Sequence, residues 1–268
     1  MTYRFGAGAV LQVVACIALT TWVLPVHAER IKVRHPEGPT HGFIVLSDLA
    51  DHPLAYGELT QWLEGKVVAN RLEIRFDDGS VYDEQLKFSQ RPFLRLESYH
   101  LVQKGPSFSE SSEVSFDRTG KYEARTRAAP DGEEKHASGT IEIPEDITNG
   151  LTSTVLKNLE RGATAKTHII AFDPEPRILE LHLAPVDSDS YSLGKVKGTA
   201  TRFMMRPRVT GVTGVVATVI GKQPPAFSMW MTNSGLPTLI RFEGPLYADG
   251  PIWRIGIAAP HLSSPSKP

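Results

Sequence analysis

The 268-residue chain contains one cysteine, Cys16, and it lies within the first 28 residues, so the rest of the chain can form no disulfide and carry out no thiol chemistry. There is no run of five or more basic residues, and 29 Lys and Arg stand against 30 Asp and Glu, which argues against nucleic acid as a partner. No nucleophile elbow, zinc-protease helix, Walker loop or dinucleotide fingerprint is present. Gly211 to Gly214 lacks the strand-then-helix setting that a phosphate loop needs. Neither a catalytic residue nor a cofactor is therefore assigned.

One long apolar run is present, at the N terminus. A single charge at Arg4 precedes Phe5 to Leu24, Pro25 breaks the run, and Val26-His27-Ala28 offers the compact residues that a signal peptidase reads. This pattern predicts a signal peptide over residues 1–28, cut after Ala28, and a periplasmic or secreted protein. Two alternatives stay open: an uncleaved anchor, since a bilayer needs ~20 apolar residues, and lipidation at Cys16 within Val13-Val14-Ala15-Cys16. Cleavage after Ala28 would remove one arginine and the cysteine, leaving a chain one unit more negative than the −1 of the whole.

Residues 29–42 mix proline, glycine and charge and read as an extended leader before a first buried strand, Phe43 to Leu46. Val68, Leu72, Ile74 and Phe76 then alternate with Arg71, Glu73 and Arg75, the period of a half-buried strand. Asp77-Asp78-Gly79-Ser80 supplies a hairpin turn into a strand with Tyr82, Leu86 and Phe88. Further strands are predicted over Pro92 to Gln103, Glu113 to Asp117, Lys121 to Arg127 and His136 to Ile143, joined by turns at Lys104-Gly105-Pro106, Thr119-Gly120 and Asp131-Gly132. Strands joined by tight turns pair as antiparallel neighbours.

One helix is predicted over 148–160, capped by Thr148 or Asn149, with Leu151, Val155, Leu156 and Leu159 on one face and Arg161-Gly162 as its stop. At ~12 residues it needs a surface to lie on, so it should cover the sheet. Strand patterns return with Leu179, Leu181 and Leu183 opposite Glu180 and His182. They continue over Gly198 to Pro207, Val212 to Ile220, Phe227 to Thr232, Leu236 to Phe242 and Ile252 to Ala258, with a turn at Asn233-Ser234-Gly235. The tail 260–268 reads as disordered. The fold class is mainly β: a curved antiparallel sheet or half-barrel with one central helix. It is either one domain over 43–259 or two lobes, 43–147 and 166–259, joined by the helix.

Several phrases resemble a group of exported bacterial proteins to which no activity is assigned. Among them are Gly42-Phe43-Ile44-Val45-Leu46, Ala55-Tyr56-Gly57-Glu58-Leu59-Thr60-Gln61, Phe76-Asp77-Asp78-Gly79-Ser80 and Leu101-Val102-Gln103-Lys104-Gly105-Pro106. Others are Gly221-Lys222-Gln223-Pro224-Pro225 and Gly250-Pro251-Ile252-Trp253-Arg254. In layout the chain is also loosely similar to periplasmic DUF3108-like proteins, on the order of strands, helix and strands with Met229-Trp230-Met231 before Leu236-Pro237. That similarity implies a curved half-barrel of the lipoprotein-carrier kind, and fold alone does not carry function.

Ser98-Tyr99-His100 leading to Lys104 is the densest polar cluster. At a cavity mouth His100 could act as a base and Lys104 hold an anion, while the plainer account is a sheet histidine and a turn lysine. Glu180 and His182 share a strand face at a spacing that suits a metal, with Asp187 and Asp189 close behind. A third ligand would have to come from another strand, His168 being the neighbour to propose, so no metal is assigned. Lys222 and Arg254, each beside rigid turns, are candidates for a pocket rim, Arg254 by a forked contact to an acid group; the same turns also serve strand register. Met229-Trp230-Met231 places apolar groups on both faces of one strand, so both faces should be covered.

The expected ligand-binding set is Tyr99, His100, Lys104, Lys222, Trp230, Trp253 and Arg254. The leading expectation is a non-catalytic exported protein that holds an amphiphilic or lipid-like molecule in a cavity of the curved sheet, beneath the helix. Peripheral envelope association is compatible with it. The alternatives are an envelope interaction or assembly factor that docks protein partners, and a hydrolase centred on His100 or His182.

Overall fold

The computed structural model describes residues 30–128, 132–209 and 224–258. The segment read as a signal peptide, the strand expected at Val212 to Ile220, Lys222 and the tail expected to be disordered lie outside these residues. Among the described residues, fourteen antiparallel strands form one sheet, β1 (Thr40–Ser47), β2 (Pro53–Glu64), β3 (Val67–Phe76), β4 (Val81–Ser89), β5 (Arg95–Lys104), β6 (Glu110–Asp117), β7 (Lys121–Ala128), β8 (Glu134–Thr140), β9 (Ala165–Asp173), β10 (Glu175–Leu193), β11 (Val196–Arg208), β12 (Phe227–Thr232), β13 (Leu239–Gly244) and β14 (Trp253–Ile257). Their order is β8-β7-β6-β5-β4-β3-β2-β1-β14-β13-β12-β11-β10-β9. The sheet does not close: β8 and β9 are its two edges. The pairing of β1 with β14, Leu46 opposite Ile255, joins the two halves, so the stretches offered as one domain or two lobes share one sheet.

The sheet is strongly curled. Tyr122 on β7 and Phe172 on β9 stand near opposite ends of the strand order, yet their ring centroids are 6.1 Å apart and the Tyr122 hydroxyl donates to Glu175 at 3.2 Å. Accumulated right-handed twist over many strands drives such curling. The inner face carries Val68, Leu86, Phe88, Val114 and Phe116 from one half and Leu181, Leu183, Phe203 and Met205 from the other, and both sets join a single core cluster.

Between them lies α1 (Thr152–Asn158), the one helix among the described residues. Leu151, Val155 and Leu156 are buried in that core. A helix this short is unstable alone, so its apolar face against both halves of the sheet is what holds it. The cap differs from expectation. Thr148 and Asn149 do not cap the helix, and Leu151 takes that position without a side-chain bond. Their side chains are engaged on edge strand β9: Asn149 Nδ2 donates to Ile170 O and Ile170 N donates back to Asn149 Oδ1, both at 2.8 Å. One side-chain amide thus occupies the free backbone groups of an edge, which would otherwise invite pairing with another chain. Gly150 makes the approach possible, because at φ +68° a Cβ would lie 2.3 Å from Leu86 Cδ2.

The leader is a strap rather than a loose lead-in. Ile31 is buried, Leu94 N donates to its carbonyl at 2.9 Å, and the backbone N–H groups of Arg34 and His35 donate to Asn158 Oδ1 at 2.7 and 2.8 Å. Glu37 accepts from Lys157 Nζ at 2.8 Å. The helix C-terminus is therefore tied to residues more than a hundred positions earlier.

Two strands escape the sequence pattern. On β2 the inward positions Ala55, Gly57, Leu59 and Gln61 include small and polar residues, while Tyr56 and Trp62 point outward, so apolar alternation is inverted. On β9 burial shifts from odd to even positions between Thr167 and Ile170. β10 is also far longer than Leu179 to Leu183 suggests, passing a bulge at Pro185/Asp187 and running on to Leu193.

Asn158 carries the strap, so Asn158→Ala, which leaves two backbone donors without their acceptor, should cost about 2–3 kcal/mol in urea unfolding. A loss below about 0.5 kcal/mol, the range of neutral surface changes, would show that the strap is held by other contacts.

Candidate functional site

Alternation sends every second side chain of β2 to β8 to the outer face, away from the helix. Register then aligns these side chains in rows across the strands. One row is Arg71, Gln85, His100, Ser115, Glu123 and Ser138; the next is Ala69, Lys87, Ser98 and Asp117. Apart from Arg71, these rows line a groove of about 660 Å³, with Trp62 and Lys121 also at its walls and His136 from β8. Its size falls in the range of small-ligand sites. A smaller recess of about 270 Å³ lies on the same face, between Phe43, Tyr56, Glu58 and Arg75.

The permanent charges lining the groove balance in number, Lys87 and Lys121 against Asp117 and Glu123. His100 Nε2 lies 3.4 Å from Glu113 and His136 Nε2 3.6 Å from Glu123. Lys87 Nζ donates to Glu64 at 2.7 Å, and Glu64 also accepts from Trp62 Nε1 at 2.9 Å, which fixes the indole ring. The Asp117 carboxyl is held below its ordinary range, first by the Thr119 hydroxyl, with Lys121 acting in the same sense. By contrast, the hydroxyls of Ser98, Ser115 and Ser138 have no side-chain or backbone partner among the described residues, leaving neutral donors and acceptors along the floor.

Of the residues expected to form a site, Tyr99 and His100 both border the groove, and the other described ones lie elsewhere. Tyr99 and His100 are neighbours in β5 and therefore face opposite ways. Tyr99 is buried on the inner face, stacked on Phe116, and donates to Glu84 at 2.8 Å, while His100 stands in the outer groove. Lys104 is exposed at the far end of β5. Trp253 is core, packed against Phe76, Phe108 and Tyr247.

Arg254, one residue on, faces outward, and its guanidinium is occupied by Glu243 and Asp51, so the forked contact expected for a ligand is made within the protein. Trp230 lies on the outer face of β12, only 7% exposed. Its cover is a pair of guanidiniums, Arg241 at 5.5 Å and Arg202 at 5.9 Å from the ring, and Nε1 donates to Asp189 at 2.6 Å. The expectation that both faces of Met229-Trp230-Met231 are covered holds, with charged side chains as the outer cover.

His168 does stand opposite Glu180 in the register of β9 and β10, and Glu180 accepts from His182. No group of three or more potential ligands is positioned to hold a metal ion among the described residues. Instead His168 Nδ1 is bound by the buried Asp146 carboxylate at 2.8 and 3.0 Å, which raises the imidazole pKa above its ordinary 6.5. Every histidine ring bond among the described residues goes to a carboxylate and none to a hydroxyl.

Sequence reading missed Glu84, a carboxylate on the inner face. Burial raises its pKa, opposed by the hydroxyls of Tyr99 and Tyr82. Its place in phase with Tyr82 and Leu86 was the available signal. None of the known family models, curated proteins or solved structures compared with the chain matches it.

The Asp146–His168 pair makes stability pH-dependent. A histidine whose pKa is raised by folding contributes fully below 6.5, and the contribution is lost as pH rises through the higher folded value. Denaturant unfolding of wild type and Asp146→Asn between about pH 5 and about pH 9 should show a gap that narrows with rising pH. A gap independent of pH would contradict the pairing.

Proposed function

We propose that the protein is a non-catalytic binding protein that takes a neutral, hydroxyl-rich chain molecule, of the oligosaccharide class, in the outer groove of β2 to β8. The observation that carries this reading is the combination in one groove of unpartnered serine hydroxyls, charges balanced in number and a fixed, 38% exposed indole at Trp62. Balanced walls offer no net field to attract an ion. Hydroxyls along the floor can exchange hydrogen bonds with a neutral polar ligand, and an aromatic face can stack on the C–H side of a sugar ring.

The reading keeps the binding role expected from the sequence and moves its place and its ligand. An amphiphile beneath the helix would need room on the inner face, where Leu151, Val155 and Leu156 pack against Phe203, Met205 and Leu86 in one core. The outer groove is open and polar, and so favours a polar ligand.

Calorimetric titration with a panel of neutral oligosaccharides should find at least one that binds. Trp62→Ala should weaken it about ten-fold, the size of a lost stacking contact. The triple variant Ser98→Val, Ser115→Val, Ser138→Val should weaken it further with the fold intact. No binding across the panel, or wild-type affinity in both variants, would overturn the proposal. Binding of a fluorescent fatty-acid probe in its place would return the ligand to the helix side.

A further inference from the structure

β10 and β11 outrun their neighbours. β9 pairs with β10 only as far as Leu183, and β12 pairs with β11 only from Ala200 to Met205. Beyond the bulge at Pro185/Asp187 the two strands run on, and from Ser190 opposite Thr199 to Leu193 opposite Val196 they form a ribbon with no described strand on either side. From Ser190 to Leu193 this ribbon reaches about 10 Å at ~3.3 Å per residue. A two-stranded ribbon is marginal in water, so its faces are informative.

The faces differ in kind. Tyr191, Leu193 and Val196 share one face, and Tyr191 lies flat on Gly198, where a Cβ would stand 2.8 Å from its ring. Ser190, Ser192, Lys197 and Thr199 share the other. At the turn, Leu193 is 45% exposed and Val196 62%, and both flank Gly194-Lys195. The charges are also sorted. The acidic groups of the ribbon lie at its base and are occupied, Asp187 by both ends of the Arg202 guanidinium and Asp189 by Trp230 Nε1. From Ser190 to Thr199 the only charges are Lys195 and Lys197.

We infer that this hairpin is a membrane-docking element that inserts Leu193 and Val196 into the interface of an anionic lipid surface, with Lys195 and Lys197 at the level of the head groups. Apolar side chains at the extreme tip, lysines beside them and a tyrosine one step behind match the layers of such an interface. A protein partner would need about 800 Å² of matched surface per side, and a ribbon two strands wide offers its apolar groups only at the point. The inference is independent of the groove, which lies on the other half of the sheet.

The test places an environment-sensitive fluorophore on the full chain carrying Cys16→Ser, at Val196→Cys or, on the opposite face, at Ser192→Cys. Vesicles of one part phosphatidylglycerol to three parts phosphatidylcholine should shift the emission of the label at 196 to the blue and leave that at 192 near its aqueous value. Vesicles of phosphatidylcholine alone should do neither. Adding Lys195→Gln and Lys197→Gln should raise the lipid needed for half the shift about 25-fold, from about five-fold per lysine. No shift at 196 on anionic vesicles, equal shifts at 196 and 192, or a lipid requirement untouched by loss of both lysines would each overturn the inference. Because the label reports the tip alone, association through any other segment does not mimic the expected result.

Discussion

One constraint organises this protein: a sheet of fourteen strands curls until its two ends face each other, and a helix of seven residues fills the space between. The sheet supplies two apolar surfaces that belong to one face, and Leu151, Val155 and Leu156 join the same core cluster as both. The helix is too short to persist alone, and the curled sheet would otherwise expose Phe203, Met205, Leu86 and Phe116 to water. Two devices hold the arrangement in register. The leader grips the helix at Asn158, and the segment before the helix closes the edge of β9 through Asn149.

With the inner face consumed by the core, the outer face carries what remains for recognition. It is treated differently along its length. On the second half, a belt of ion pairs runs from Asp51 through Arg254, Glu243 and Arg241 to the Trp230 ring, and on to Arg202 and Asp187, so that guanidiniums do the work of a covering layer. On the first half, the charges stand along the walls of a groove and balance in number, while three serine hydroxyls stay open on its floor. Two properties, a closed polar belt and an open polar groove, arise from the same strand alternation. They differ in whether the long side chains reach across or stand apart.

Much of the fold is legible in the residues. Val68, Ile74 and Phe76 alternate with charged neighbours because water wets one face of β3, and Asp78 with Gly79 supplies the turn into β4, Gly79 taking φ +83° and Asp78 accepting from Ser80 N at 2.8 Å. The strand at Met229 to Met231 announces two covered faces for the same reason. β2 was hidden because its outward positions hold the aromatics, and β9 because its burial changes phase. The helix cap was misread since Thr148 and Asn149 have cap chemistry, and only the nearness of an edge strand redirects it. The same alternation separates the candidate site residues. Tyr99 with His100, and Trp253 with Arg254, are adjacent in strands, and adjacent strand residues point to opposite faces.

The sequence by itself determined the pattern of most strands, the presence of an amphipathic helix and the absence of thiol chemistry in the described chain, because each depends on spacing or composition within a few residues. It also placed His168 beside Glu180 and covered both sides of Trp230. Tertiary structure alone decided which half of the sheet faces which, that Asp51 and Glu243 take up Arg254, and that Ser98, Ser115 and Ser138 line one groove. It also decided how far β10 and β11 run past their neighbours. These are distances between residues far apart in the chain, set by the curl and register of the whole sheet, and no local pattern of side chains encodes them.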